Sequence, residues 1–115
     1  MDYILLIYDN EAAMKARAQA EVSEMFKAYQ EFTQDIVRTG NFKAGDPLEP
    51  TNTATTVRSR RGKAMVTDGP FAETKEQLGG YYLIQAKDLD EAIAIAARVP
   101  SARFGSIEVR PIRKM

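Results

Sequence analysis

The chain has 115 residues, of which 44% are hydrophobic and 28% are charged. This length is typical of one domain, and we expect residues 1–115 to form a single domain. Sixteen basic and sixteen acidic residues cancel, which argues against direct binding of duplex nucleic acid, because that binding depends on a basic face.

The missing residue types exclude several kinds of chemistry. The chain has no Cys and no His, so it has no thiolate nucleophile, no Ser-His-Asp triad and no histidine-bearing metal site. Any proton transfer falls to Asp, Glu, Lys or Tyr. An all-carboxylate cation site stays open, but no EF-hand spacing supports it, and we predict neither a metal nor another cofactor.

The sequence also bears on location. Its apolar runs are too short to cross a bilayer, and MDYILLIYDN lacks the positive flank and cleavage site of a signal peptide. The absence of cysteine gives no sign of secretion. We therefore expect a cytoplasmic protein without a membrane partner.

The first third of the chain predicts a strand followed by a long helix. Residues 3–8, YILLIY, are apolar throughout, which predicts a strand buried on both faces. The alanine-rich residues 11–20 predict a separate helical turn or a kinked extension of the helix. Gly40 is placed to end the helix, since glycine readily adopts the left-handed conformation. The apolar stripe of this helix consists of Val22, Met25, Phe26, Tyr29, Phe32 and Ile36.

The middle of the chain predicts an edge strand and a hairpin. Residues 42–50 form an irregular edge strand, because Pro47 cannot donate a ladder hydrogen bond. TATTVRS and KAMVT follow as two β-prone runs. The tight turn at residues 60–62 between them predicts a hairpin.

The last third predicts a strand, a helix and a strand. GYYLIQA, residues 80–86, is the first strand, and Asp88 caps the helix with Glu91 completing a capping box. Pro100 ends the helix, and SIEVRPI is the last strand. The predicted inner face of the helix consists of Ile93, Ala96 and Ala97.

Without the hairpin, this order is the split βαβ arrangement of ferredoxin-like α+β domains. Both helices then cover one sheet face and leave the other bare. Ile107 and Val109 in the last strand point away from Glu108 and Arg110, as this layout requires. Because the first strand is apolar on both sides, we predict a homodimer in which two sheets pack face to face around a cleft.

The segments TATTVR, GKAMVTDGPFAETKEQLGGYYLI, DLDEAIAIAARVP and SIEVRPI closely resemble the DGPF branch of the YCII-related family. The resemblance extends from DYILLIY to EVRPI. It implies ferredoxin-like domains that dimerise into an α/β barrel. It also implies a role either in small-molecule enzymology or beside sigma factors in transcription initiation.

One departure from the wider family concerns Asp9. YCII proteins outside the DGPF branch carry an aspartate after the first strand and a histidine in the first helix, which are proposed as a catalytic pair. The resemblance places Asp9 at the aspartate position. Because the chain has no histidine, the pair cannot be carried over.

The DGPF motif itself has two interpretations. Asp68 is either a turn residue that bonds nearby backbone amides or a base or hydrogen-bond acceptor at the mouth of the dimer cleft. Pro70 is predicted to begin a short helical segment, AETKEQ. We expect Phe71 to close the hairpin over the core, with a substrate contact as the alternative.

The residues around the motif divide in the same way. Glu73 and Lys75 are predicted to form a solvated face. In the alternative interpretation, either side chain points into the cleft. Tyr81 and Tyr82 point to opposite faces, so that one lies in the core. The other, with Tyr8, could hydrogen-bond a ligand in the cleft.

Two functions are therefore predicted, and the sequence leaves open whether the protein is an enzyme. In the first, a dimer binds or transforms a small organic molecule without a metal, with Asp68 as the candidate catalytic residue. The candidate ligand-binding residues are Tyr8, Asp9, Phe71, Glu73, Lys75, Tyr81 and Tyr82.

In the second, the chain is a non-enzymatic regulatory module that binds a partner such as a sigma factor. An acidic protein surface would be the complement of a basic hairpin tip. The candidate residues are Arg58, Arg60, Arg61 and Lys63.

Overall fold

A computed structural model describes residues 1–115 and confirms the mixed α+β class. Four strands form an antiparallel sheet in the order β2-β5-β1-β6, and β3 and β4 form a separate hairpin. The elements are β1 (Asp2–Asp9), α1 (Glu11–Lys15), α2 (Gln19–Arg38), β2 (Phe42–Pro47), β3 (Thr55–Arg60), β4 (Lys63–Asp68), β5 (Gln77–Gln85), α3 (Leu89–Ala97) and β6 (Ser106–Pro111). No helix is long and apolar enough to span a membrane.

The central strand β1 is fully buried on only one face, so the prediction of two buried faces was wrong. Tyr3, Leu5 and Ile7 belong to the main hydrophobic core. Ile4 and Leu6, which alternate with them, are half-buried. The reason is that α2 and α3 both contribute their buried residues to the same side of the sheet, which leaves the other side without a covering layer.

Helix α2 contributes to the core mainly through its C-terminal half. Phe32 and Ile36 are buried, whereas Val22 and Phe26 are 47% and 67% exposed. The predicted stripe is therefore continuous in sequence but not in burial, because a cavity borders the N-terminal half of the helix. Gly40 has φ = 80° just after the helix ends, as its predicted role requires.

Helix α3 begins at the predicted cap. The Asp88 carboxylate accepts a hydrogen bond from the Glu91 backbone N–H at 2.9 Å. The Glu91 carboxylate accepts from the Lys87 N–H instead of the Asp88 N–H, so the reciprocal bond lies one residue earlier than in a capping box. The predicted inner face was right only for Ala96, since Ile93 and Ala97 are exposed. The buried residues are Ala92, Ile95 and Ala96.

The hairpin of β3 and β4, residues 55–68, projects from the sheet and is called the arm below. All six residues of β4 are exposed, and the molecule is flat, with extents of 47 × 43 × 19 Å. Arg61 and Gly62 have positive φ values of 54° and 77°, which is the conformation that a tight two-residue hairpin turn requires. The predicted hairpin is therefore confirmed.

The segment after the DGPF motif contains no helix, so the predicted helical segment was wrong. The Thr74 hydroxyl donates to the Glu76 carbonyl at 2.5 Å, and the Gln77 side-chain amide donates to the Thr74 carbonyl at 2.6 Å. These side chains satisfy backbone groups locally, which competes with helix formation. Strand β5 then begins at Gln77.

Candidate functional site

A cavity of about 590 Å³ lies between α2 and the sheet and is called the helix-side cavity below. Its volume falls in the range of small-molecule sites, roughly 300–1,000 Å³. Most of its apolar wall comes from α1, α2 and the edge strand. The apolar side chains include Ile7, Met14, Val22, Met25, Phe26, Phe42 and Leu48.

A buried ion pair opens onto this cavity. Arg17 Nη2 lies 3.1 Å from Asp9 Oδ2, and the two side chains are only 15% and 7% exposed. The other Asp9 oxygen accepts the backbone N–H of Asn10 at 2.7 Å. The pair forms because β1 ends at Asp9 and the connection between α1 and α2 returns Arg17 to that strand end.

Two pairs of hydroxyl groups line the same cavity. The Tyr29 hydroxyl lies 2.5 Å from Ser101 Oγ, and the Tyr82 hydroxyl lies 2.6 Å from Thr33 Oγ1. Burial raises the pKa of both tyrosines above the usual 10.0, because the phenolate form loses its hydration. Each tyrosine therefore remains a neutral hydroxyl that can both donate and accept.

The cavity contains some of the predicted site residues. Asp9 and Tyr82 line it, and Tyr82 is the tyrosine that lies in the core. Tyr81 also contributes to the wall, but its hydroxyl donates to Asp46 Oδ2 at 2.8 Å. Tyr8 is half-buried in β1 and does not line the cavity. Because it alternates with the buried Ile7, it points to the uncovered sheet face.

The residues of the DGPF region lie outside the cavity. Asp68 is exposed and ends β4 just before Gly69, which has a φ of 94°, so it lies beside a turn, and the choice between its turn role and its ligand role stays a prediction. Phe71 is 79% exposed, which contradicts its predicted role in closing the hairpin over the core. Glu73 and Lys75 are also exposed, as a solvated face requires. A contact of these residues with a dimer cleft stays a prediction.

The basic residues of the hairpin lie where the sequence placed them. Arg60 and Lys63 pair across the tip, and Arg61 occupies the turn. Arg58 lies further from the tip, where its guanidinium donates to the Phe71 carbonyl at 3.5 Å. The arm therefore displays its cations away from the sheet.

Four residues of the site were not predicted from the sequence: Arg17, Tyr29, Thr33 and Ser101. Tyr29 was assigned to the apolar stripe, and its hydroxyl partner comes from a segment 72 residues away. No local pattern distinguishes Arg17 from nearby Lys15. Only the folded chain brings these groups together.

Comparisons with known proteins cover the whole chain. Residues 1–115 match the family model described as YCII-related domain. An uncharacterized protein from Rhizobium meliloti (strain 1021) is 39% identical over 114 residues, which are 97% of this chain and 92% of the relative.

A solved structure has a similar fold. It is that of 5-chloro-2-hydroxyhydroquinone dehydrochlorinase from Burkholderia phenoliruptrix AC1100 in complex with 2,5-dihydroxybenzoquinone. The TM-score is 0.57 at 13% identity, and the match covers 98% of this chain and 94% of that chain. At this identity the comparison shows a shared fold.

Proposed function

The chain belongs to the YCII-related family, and from this membership and the geometry we propose that it binds a small organic molecule in the helix-side cavity. The observation that carries this proposal is the Asp9–Arg17 pair at the cavity wall. A buried ion pair is weak evidence for stability, since its desolvation offsets much of its attraction. A concave, largely apolar space with a few convergent polar groups is typical of a ligand site.

The chemistry of the structural neighbour is consistent with this function. That protein is described as a dehydrochlorinase and holds 2,5-dihydroxybenzoquinone, a small cyclic molecule. We include in the proposal that this chain, too, acts on a small molecule. Without a histidine, the acidic and phenolic groups that could act on a ligand here are Asp9, Asp46, Tyr29, Tyr81 and Tyr82.

A ferredoxin-like, dimeric arrangement is a further part of the proposal. The strand order β2-β5-β1-β6 supports the ferredoxin-like arrangement. A dimer is supported by the uncovered sheet face, because an uncovered apolar face favours burial against another copy. The half-buried side chains on this face include Ile4, Leu6, Tyr8 and Leu83. In such a dimer, Asp68 reaches a ligand only if the arm of one copy approaches the cavity or the sheet of the other.

The alternative function is a regulatory module that binds an acidic protein surface such as that of a sigma factor. It is supported by the arm, where Arg60, Arg61 and Lys63 are exposed at the tip. In this case, replacing Arg60 and Arg61 with Glu weakens partner binding and leaves ligand binding in the cavity unchanged. A pull-down insensitive to both charge reversals removes this support.

A screen of small polar aromatic and aliphatic compounds by thermal shift, followed by calorimetry of hits, tests the main proposal. The variant Val22→Trp places a large side chain at the cavity wall. Val37→Trp is the matched control, because Val37 is an exposed residue of the same helix that does not line the cavity. We expect hits to lose binding to Val22→Trp and to keep it with Val37→Trp.

Two outcomes would contradict the proposal: the absence of any hit, or hits that bind Val22→Trp as tightly as the original protein. Asp68→Asn tests the separate prediction for the arm. If the Asp68 carboxylate takes part, this variant loses binding or turnover while its melting temperature and oligomeric state stay unchanged. Unchanged binding would leave Asp68 without a role at the ligand.

A further inference from the structure

We infer that the ligand of the helix-side cavity is a small organic carboxylate, bound through its charged group by Arg17 and through its hydrocarbon or aromatic body by the apolar wall. This inference rests on the proposed function and adds the ligand class. It is carried by the free hydrogen-bond donors of Arg17, by the hydroxyl pairs and by the apolar wall.

Arg103 is a second cation near the buried pair, but it is an exposed residue that does not line the cavity. The guanidinium groups of Arg17 and Arg103 both lie against the Phe104 ring, at 4.5 and 5.6 Å from its centroid. Arg17 is paired with Asp9, whereas Arg103 forms no ion pair. Asp9 compensates the charge of Arg17, so the preference for a carboxylate depends on the hydrogen-bond donors that this pair leaves free.

Asp46 is the second acidic residue of the cavity wall. Asp46 lines the cavity, but its carboxylate accepts the hydroxyl of Tyr81 at 2.8 Å. Tyr81 directly precedes Tyr82 in β5, and neighbouring side chains of a strand point to opposite faces, so the Tyr81 ring lies on the sheet face opposite to the buried Tyr82 ring. The Asp46 carboxylate is therefore engaged by Tyr81, whereas Arg17 forms its ion pair with Asp9.

Arg17 has hydrogen-bond donors that Asp9 does not use. A guanidinium has five N–H donors, and the side chain of Arg17 makes a single hydrogen bond, from Nη2 to Asp9. No fully buried side-chain polar atom lacks a partner, so the remaining Arg17 donors are accessible, and Arg17 lines the cavity. A planar fork of this kind matches the two oxygens of a carboxylate.

The hydroxyl pairs provide further donors. Within the pairs Tyr29–Ser101 and Tyr82–Thr33, two hydroxyl protons are present and the internal hydrogen bond uses one of them. The other proton of each pair is available to an oxygen of the ligand. Carboxylate, hydroxyl and carbonyl oxygens all accept such a bond.

The test compares matched compounds that differ only in charge. Benzoate, phenylacetate and hexanoate are each titrated against their primary amides by calorimetry, with phenyl phosphate and inorganic phosphate as other anions. We expect each carboxylate to bind at least about tenfold more tightly than its amide, a difference of about 1.4 kcal/mol. Phosphate compounds bind more weakly, because a single free guanidinium fork faces the cavity.

Variants of Arg17 connect this preference to the structure. Arg17→Gln removes the charge, and Arg17→Lys keeps the charge but loses the planar fork. We expect the carboxylate-to-amide ratio to fall to about one in the first and to an intermediate value in the second. Arg38→Gln is the matched control, since Arg38 pairs with Asp35 on the exposed face of α2. If Arg17→Gln does not fold, as judged by circular dichroism, the ratio in Arg17→Lys decides.

The outcomes separate this inference from the proposed function. Amides that bind as tightly as carboxylates, and that lose binding in Val22→Trp, overturn the ligand class and keep the cavity as a binding site. An unchanged ratio in both Arg17 variants overturns the role of Arg17. Failure of every charged and neutral compound to bind overturns the proposed function together with this inference.

Discussion

Arg17 and Asp9 form the one ion pair of the chain in which both side chains are largely buried, with 3.1 Å between Nη2 and Oδ2. The other three pairs join side chains that are at least one-third exposed. In a pair held out of water, the cost of removing each charge from its hydration shell opposes the attraction between the two charges, and both energies are large. Its removal is therefore informative about both stability and function.

We expect Asp9→Asn to lower the free energy of unfolding by about 3 kcal/mol, since it leaves the Arg17 charge buried without its partner. Urea unfolding followed by circular dichroism measures this change. Asp35→Asn removes a carboxylate from the exposed Arg38 pair and should change stability by at most about 1 kcal/mol. Equal effects of the two substitutions would show that the Asp9 pair is solvated.

We expect Gly105→Ala to destabilise the protein by about 3 kcal/mol, at the upper end of overpacking effects. A Cβ atom at Gly105 would lie 1.9 Å from the Tyr8 carbonyl oxygen, so the backbone beside Asp9 has to move. Gly79→Ala is the matched control, because the nearest atom to its Cβ is 4.0 Å away. Chemical unfolding of both variants tests the difference, and similar stabilities would contradict the close approach of Gly105 to Tyr8 of β1.

We expect the free energy of unfolding to fall as the pH rises above about 10. Burial raises the pKa of Tyr29 and Tyr82 above 10.0, so the unfolded chain releases these protons at a pH where the folded protein still retains them. Stability is thus fully present below pH 10 and decreases with rising pH.

The pH dependence is measured by urea unfolding between neutral and alkaline pH. A double variant, Tyr29→Phe with Tyr82→Phe, should show a weaker decrease than the original protein. Tyr81 is present in both proteins and contributes equally to their pH dependence. Its hydrogen bond to Asp46 raises its pKa in the same direction. Identical slopes in the two proteins would mean that the buried tyrosines do not contribute.

We expect Leu6→Lys to shift the protein from dimer to monomer while leaving the fold intact. Leu6 is half-buried on the sheet face that no helix covers, and a charge there would be desolvated in a face-to-face dimer. Sedimentation velocity measures the oligomeric state. Ile93→Lys is the control, because Ile93 is 50% exposed on α3. A monomeric original protein would remove the proposed dimer.

Much of the secondary structure could be predicted from the sequence because its signals are local. Gly40 at the end of α2, Asp88 at the start of α3 and the turn at residues 60–62 are confirmed by their backbone angles or hydrogen bonds. The predicted segment AETKEQ failed as a helix, since side-chain bonds around Thr74 satisfy its backbone instead. Burial was predicted less well, as the exposed Phe26 and Ile93 show.

The sequence by itself determined the α+β class, the order of most elements and the absence of cysteine and histidine chemistry. Only the tertiary structure decided which polar groups meet. Arg17 reaches Asp9 through a connection between two helices, and Tyr29 meets Ser101 across 72 residues of chain. Turns and caps depend on neighbours in sequence, whereas a cavity depends on how elements pack, and residue spacing does not encode that packing.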